Sequence, residues 1–298
     1  MSAATKGIFI LGARRTAYGS FGGTFKNTTG TQLQTHACKA TLEEAGVRPD
    51  QVDSVVIGNV LVSSQADGIY LPRHTLLNCG IPIDRPALGV NRLCGSGFQA
   101  MINGAQDILV GAARIALTGG VDNMSMSPFV VRNIRYGTQL GAPNAFEDSL
   151  WASLTDSYCK FPMALTAENL AVKYKISRDK VDAFAVQSHK RWNVANQKGV
   201  KNTSDRMFIL SVFKAEIAPF SVKVKGKDVE FVVDEHPKPA TTLESLAKLR
   251  PVFKKDGVVT AGNASGICDG AAAVLIASEE VVNENRLKPL ARLVAYST

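Results

Sequence analysis

Over its first 122 residues the chain alternates short apolar runs with amphipathic stretches, and that alternation restricts it to a layered α/β fold. Gly7 to Gly12, Ser54 to Gly58, Ala87 to Val90 and Ile115 to Thr118 have strand length. Between them, Thr31 to Ala45 reads as a helix with Leu33, Ala37 and Ala40 on one face and Gly46 as its stop. Leu71 to Leu77 and Phe98 to Val110 read as two more helices. Strands separated by helices predict a largely parallel sheet.

From about Val121 the alternation breaks. Residues 123–254 hold irregular stretches, two predicted helices and a hairpin. Ser177 is the expected N-cap of a helix carrying Val181, Phe184, Ala185, Ser188, Trp192 and Ala195 on one face, with Gly199 past its end. Phe220 to Val224 and Val229 to Val233 alternate as paired strands around Lys225-Gly226-Lys227. An excursion this large from a sheet domain is usually functional. The strand-helix pattern returns with Val258 to Gly266 and the apolar run Ala271 to Ala277, and a last strand begins at Leu290.

Composition narrows the function. The chain is 45% hydrophobic and 20% charged, as in ordinary soluble globular proteins, and no apolar run is long enough to span a bilayer. Five cysteines without C-x-x-C spacing argue against a zinc site or a disulfide framework, so no metal is expected and a reducing compartment fits. The net charge of +8 is spread over short Lys/Arg clusters without interleaved aromatics. That pattern speaks against nucleic acid and for a phosphate-bearing small molecule, or for solubility alone. The sequons at Asn27, Asn202 and Asn263 read as chance matches.

The run Asn91-Arg92-Leu93-Cys94-Gly95-Ser96-Gly97-Phe98-Gln99 carries the most chemistry. It puts Cys94 where a strand turns into a helix N-terminus. Unpaired N–H groups and the positive end of the helix dipole favour a thiolate there, and the glycines leave room for a substrate. The arrangement is that of a nucleophile elbow. On the residues alone two readings stay open: a nucleophile, or a small buried hydrophobe. Of the four histidines, His36 and His189 fall on predicted amphipathic helices, His236 in a loop beside Pro237 and His74 in a short helix; a structural role is expected for each.

The N-R-L-C-G-S-G-F-Q run resembles the acyl-acceptor motif of the thiolases, enzymes that make or cleave 3-ketoacyl-CoA. The likeness extends along nearly the whole chain and is greatest to the mitochondrial 3-ketoacyl-CoA type. It implies an α/β thiolase-like fold. The expected parts are an N-terminal thiolase domain at 1–122, a loop domain at 123–254 that forms a CoA-binding lid, a return to the first domain at 255–283, and the start of a C-terminal domain at 284–298. Within the lid, 202–212 is read as an insertion, because the family runs almost directly from the helix stop near Gly199 into the equivalent of Phe213.

The resemblance assigns Cys94 as the catalytic nucleophile. Thr242 to Phe253 and Ala261 to Gly266 resemble segments that hold CoA, so that Ser245 and Phe253 would meet the nucleotide end while Ala264 and Ser265 line the pantetheine tunnel. Met163, before Leu165-Thr-Ala-Glu-Asn169, would form a flexible wall of the acyl pocket. Asp122 stands where the family's G-G-x-E-x-M-S carries glutamate. The family's G-H-P, N-E-A-F and C-x-G motifs, which belong to its second half, do not occur in these 298 residues. Most of that second half is therefore expected to lie outside the sequence.

The implied function is acyl transfer through an acyl-cysteine in fatty acid β-oxidation: thiolysis of 3-ketoacyl-CoA, or the reverse Claisen condensation. Acyl-CoA and CoA are the expected substrates, with no permanently bound cofactor and no nucleic-acid partner. A homo-oligomer, dimer or tetramer, is expected. The resemblance implies the mitochondrial matrix, with the cytoplasm and the peroxisome left open. Two other readings stand beside it: a condensing enzyme such as a ketoacyl synthase, and a catalytically incomplete fragment that binds CoA or full-length subunits.

Overall fold

Strand β1 (Ile8–Arg15) leads through a loop into helix α1 (Gly30–Ala45), whose two ends are written in the sequence. Thr29 Oγ1 accepts from Gln32 N at 3.2 Å and Gln32 Oε1 accepts from Thr29 N at 2.9 Å, a reciprocal cap. Gly46 stops the helix at φ 63°, a left-handed conformation that glycine adopts without a Cβ clash. Then come β2 (Ser54–Gly58), α2 (Leu71–Asn78), β3 (Ala87–Val90), α3 (Ser96–Leu109) and β4 (Ile115–Asn123). The second half adds α4 (Met163–Lys173), α5 (Arg178–Gln197), a hairpin of β5 (Phe220–Val224) and β6 (Lys227–Phe231), and α6 (Leu243–Ala247). It closes with β7 (Cys268–Ser278), α7 (Glu279–Glu284) and β8 (Ala291–Arg292). This computed structural model describes residues 3–4, 7–197, 212–224 and 226–297, so all of the predicted insertion at 202–212 except Val212 lies outside the described residues. Among the described residues no helix is long and apolar enough to cross a membrane.

The chain divides into two compact units: Met1–Met126 with Glu216–Glu235 and Cys268–Thr298, and Ser127–Ala215 with His236–Ile267. The sheet of the first unit has the order β8-β1-β7-β4-β2-β3. Only β2 pairs in parallel, with β3 and β4; β7 lies antiparallel between β1 and β4, and β8 antiparallel to β1. The expectation of a largely parallel sheet is thus corrected. Local alternation reports that strands are separated by helices, but not that a strand from residue 268 onward enters the middle of a sheet begun at residue 8.

The alternating faces of β7 show why it fits there. Ala271, Ala273, Leu275 and Ala277 join the core beneath α1 and α2, with Leu33, Ala37, Leu42 and Leu76. Ile276 and Val274 face the opposite way, packing with Ile8, Ala105 and Ala116 on the α3 side. Small residues on the α1 face let that helix approach closely; a side chain at Gly12 would meet the Thr41 carbonyl at 2.7 Å.

The unit boundaries also differ from those expected. The sequence pattern puts the hairpin in the 123–254 excursion, yet it packs with the first unit. Phe25, fully buried, takes Phe220 and Phe231 edge-on at ring distances of 5.2 and 4.9 Å. Arg15 grips Asp234 with two bonds of 2.8 and 3.1 Å and reaches Glu216 at 2.9 Å. Glu235 accepts the N–H groups of Ser20 and Thr24 at 2.8 and 3.2 Å. Conversely, Val258 to Gly266 forms no strand and belongs to the second unit.

The predicted face of α5 needs correction too. Its buried residues are Asp182 and Val186, while Phe184 is exposed. An apolar pattern cannot reveal that Asp182 is inside, since a buried carboxylate depends on partners distant in sequence.

Because two aromatic rings meet on Phe25, Phe25→Ala is expected to destabilise the first unit by about 3–5 kcal/mol in urea unfolding. A loss below about 1 kcal/mol would mean that the hairpin is not held by this cluster.

Candidate active site

Cys94 stands at the turn between β3 and α3 and is exposed, unlike Cys38 and Cys79, which are buried. Its reading as a buried packing residue is therefore overturned. The elbow is tightly bonded. Leu93 N donates to Asn91 Oδ1 at 3.0 Å, and Arg92 N donates to Ser96 Oγ at 2.9 Å. Ser96 Oγ in turn donates to the Leu93 carbonyl at 2.6 Å. Leu93 is held at φ 49°, a left-handed conformation costing about 1–3 kcal/mol for a residue with a side chain. The strain of this elbow thus falls on the residue before the cysteine.

Glycines seat the helix start on the sheet. A Cβ at Gly58 would lie 2.6 Å from the Ser96 carbonyl carbon, and one at Gly120 would lie 3.3 Å from the Gly97 Cα. A cavity of about 260 Å³ opens beside the sulfur, lined by Phe98, Met101, Gly119, Gly120 and Val274. It presents an apolar wall and small residues close to the sulfur.

Asp122 braces the loop after β2 against the end of β4. Its Oδ1 accepts from Asn59 Nδ2 at 2.9 Å, Val60 N at 3.1 Å and Leu61 N at 2.8 Å. Burial raises its carboxyl above the ordinary 3.8, and these donors pull it back. Asn91 Nδ2 reaches the Val60 carbonyl at 3.4 Å, so the braced loop touches the elbow itself.

The histidines of this unit have other partners. His74 Nδ1 is 2.9 Å from Asp67 Oδ2 and its ring stacks on Tyr70, while His36 packs edge-on against Phe220. Neither lines the Cys94 cavity. Burial, with Asp269 and Asp234 nearby, pushes the Cys268 thiol up, away from a nucleophile's needs.

The other residues singled out in the sequence all belong to the second unit. Met163 opens α4 and is exposed. The Ser245 hydroxyl, expected to meet a nucleotide, is engaged in the α6 cap: it donates to the Thr242 carbonyl at 2.8 Å and accepts from Thr242 N at 3.1 Å. Phe253 lies parallel to Trp151, with ring centroids 6.4 Å apart and planes 5° apart. Ala264 and Ser265 are both exposed.

Sequence reasoning missed the residues that fasten these segments. Asp182 accepts from Arg178 Nε and Asn263 Nδ2, each at 2.7 Å. Arg178 also donates to the Leu246 and Leu249 carbonyls at 2.6 and 3.1 Å, tying α6 to α5. Asn263 accepts from Thr260 N at 2.8 Å and donates to the Val258 carbonyl at 2.9 Å. Glu168, almost fully buried, accepts the N–H groups of Val258 and Val259 at 2.9 and 2.8 Å. Asn263 and Glu168 stand inside the G-N-A-S-G and L-T-A-E-N runs, so their positions were visible although their bonds were not. A second cavity, of about 660 Å³, follows α5 past Val186, Lys190 and Val194, and among the described residues no cysteine lines it.

Residues 8–280 match the thiolase N-terminal domain. The chain is 53% identical to the human mitochondrial 3-ketoacyl-CoA thiolase over 98% of its own length and 70% of that protein. It is 40% identical to an acetyl-CoA acetyltransferase of Rhizobium meliloti, again over 98% of this chain and 70% of that one. A crystal structure of the human mitochondrial 3-ketoacyl-CoA thiolase in complex with CoA matches with a TM-score of 0.90 at 51% identity, over 99% of this chain and 70% of that chain. The chain belongs to the thiolase family, whose members named here are acyltransferases. The sequence spans about 70% of the length of these relatives.

Asp122→Ala would leave three donors without their acceptor and is expected to cost about 1–3 kcal/mol in chemical denaturation at neutral pH. The raised carboxyl contributes stability that is fully present below its unfolded value of 3.8 and is lost as pH rises through the higher folded value. Asp122→Asn should flatten the stability–pH curve across that window; an unchanged curve would show that Asp122 does not titrate differently on folding.

Proposed function

We propose that this chain carries out thiolase-type acyl transfer on coenzyme A thioesters with Cys94 as the nucleophile. The observation that carries the proposal is the exposed Cys94 sulfur at a strained, glycine-seated elbow, opening onto an apolar cavity. In the thiolytic direction the Cys94 sulfur attacks the 3-keto carbon of a 3-ketoacyl-CoA. The bond between C2 and C3 breaks, acetyl-CoA departs once its C2 is protonated, and the acyl group remains on sulfur as a thioester. The thiol of a second CoA then attacks that thioester, releasing the shortened acyl-CoA and returning the Cys94 thiol. The Cys94 N–H, at the start of α3, is the proposed donor to the thioester oxyanion.

Met163, Ser245, Phe253, Ala264 and Ser265 are the proposed substrate-binding residues. Two features of the second unit support this role: Ala264 and Ser265 are exposed on a segment fastened by Asn263 and Glu168, and Phe253 presents a ring beside Trp151. For Ser245, contact with a nucleotide would have to coexist with its place in the α6 cap. The reaction belongs in fatty acid β-oxidation in the mitochondrial matrix, a reading supported by the mitochondrial thiolases among the relatives. A dimer or tetramer is the proposed assembly.

Incubation with radiolabelled acetyl-CoA tests the first half-reaction. The expected result is one hydroxylamine-sensitive acetyl group on the peptide containing Cys94, absent from Cys94→Ala. Label elsewhere, or label that survives in Cys94→Ala, would remove the assignment.

A further inference from the structure

The segment bearing Ala264 and Ser265 is fastened at both ends. At its N-terminal end, Asn263 and the Glu168 carboxylate hold residues 258–263. At the other end lies Gly266, and what holds it is His236. A Cβ built on Gly266 would fall within 3.0 Å of three atoms of the His236 ring, with Nε2 at 2.6 Å, so the face of the imidazole occupies the place of a side chain there. Real Cβ atoms essentially never come so close, and here the obstacle is a planar ring whose own backbone is restrained. Pro237 follows His236, and Lys238 N donates to His189 Nδ1 at 3.2 Å, which ties this stretch to α5. Between the two fastenings the Ser265 side chain is exposed, and its hydroxyl has no hydrogen-bond partner among the described residues.

We propose that His236 is a positioning residue for substrate binding: its ring, packed face-on against Gly266, fixes the backbone of Ala264–Gly266 in the shape that presents the free Ser265 hydroxyl to the pantetheine amides of a CoA thioester. This rests on the reading of Ala264 and Ser265 as pantetheine-lining residues. His236 does not touch the reacting atoms. It acts by preorganisation, so that the segment need not be ordered when ligand arrives. The fit also explains why glycine stands at 266, since its backbone is not in a conformation that requires glycine.

The test uses the full chain with CoA as the probe, and reads the CoA dissociation constant by calorimetry and amide hydrogen exchange over residues 260–267. His236→Ala is expected to weaken CoA binding about tenfold and to speed exchange in this peptide. His236→Phe keeps a ring face without titratable nitrogens and should restore affinity to within about threefold of the parent. Gly266→Ala should weaken binding, and His236→Ala combined with Gly266→Ala should bind better than Gly266→Ala alone, because the methyl group enters the vacated space. Parental affinity and exchange in His236→Ala, a Phe variant no better than the Ala variant, or strictly additive losses in the double variant would each overturn the proposal. If the parent chain bound no CoA while exchange still followed the Ala, Phe and double-variant pattern, the positioning contact would stand and the CoA reading of this segment would fall.

Discussion

The close approach of α3 to the sheet is the constraint from which the site follows. Gly58 and Gly120 have no side chains, so the first turn of the helix lies against the backbones of β2 and β4. The chain leaving β3 must therefore turn within a few residues, and the left-handed Leu93 with the Ser96 hydroxyl bonds accomplishes this. Cys94 is what that turn projects. A methyl group at Gly58 would push the helix away and lengthen the turn, so a glycine well removed in sequence governs where the sulfur stands.

The second unit follows a different logic. It contains little regular structure around the proposed ligand segments and relies on buried polar side chains. Asp182, shared between Arg178 and Asn263, joins α5, α6 and the loop after Val258 through charged hydrogen bonds. Such bonds are directional, and leaving one partner buried alone is costly, so the network specifies a single arrangement of loops that an apolar core would hold less exactingly. The proposed binding segments, built from Ala264, Ser265 and Phe253, need that kind of support, because they themselves must stay accessible.

How much of this was legible in the sequence follows from how far apart the interacting groups are. The stop of α1 could be read because it is local, a single glycine, Gly46, whereas the equally local cap between Thr29 and Gln32 was missed and the helix starts one residue earlier than expected, at Gly30. The elbow could be read for the same reason: strand, small-residue turn and helix occupy consecutive residues. The antiparallel insertion of β7 could not, because pairing between Ala272 and Gly120 or Arg15 leaves no local trace. The hairpin was recognised as a hairpin, but its place on Phe25 depends on a ring some two hundred residues earlier. The loop at 258–266 resembles a strand because Val258 and Val259 stand together, yet the N–H groups of Val258, Val259 and Thr260 are taken by Glu168 and Asn263 rather than by a neighbouring strand. His236 reads from the sequence only as a loop histidine with a structural role, and the geometry alone shows it filling the absent side chain of Gly266.

The account stands on Cys94 being nucleophilic and not merely accessible, and Cys159 supplies the internal control because it too is exposed. Timed alkylation with iodoacetamide under native conditions, read cysteine by cysteine by peptide mass mapping, measures the difference. The elbow predicts that Cys94 reacts well ahead of Cys159, that CoA thioester slows Cys94 alone, and that Cys38 and Cys79 stay unmodified until the fold is lost. A Cys94 that reacts no faster than Cys159 and is indifferent to CoA thioester would contradict it.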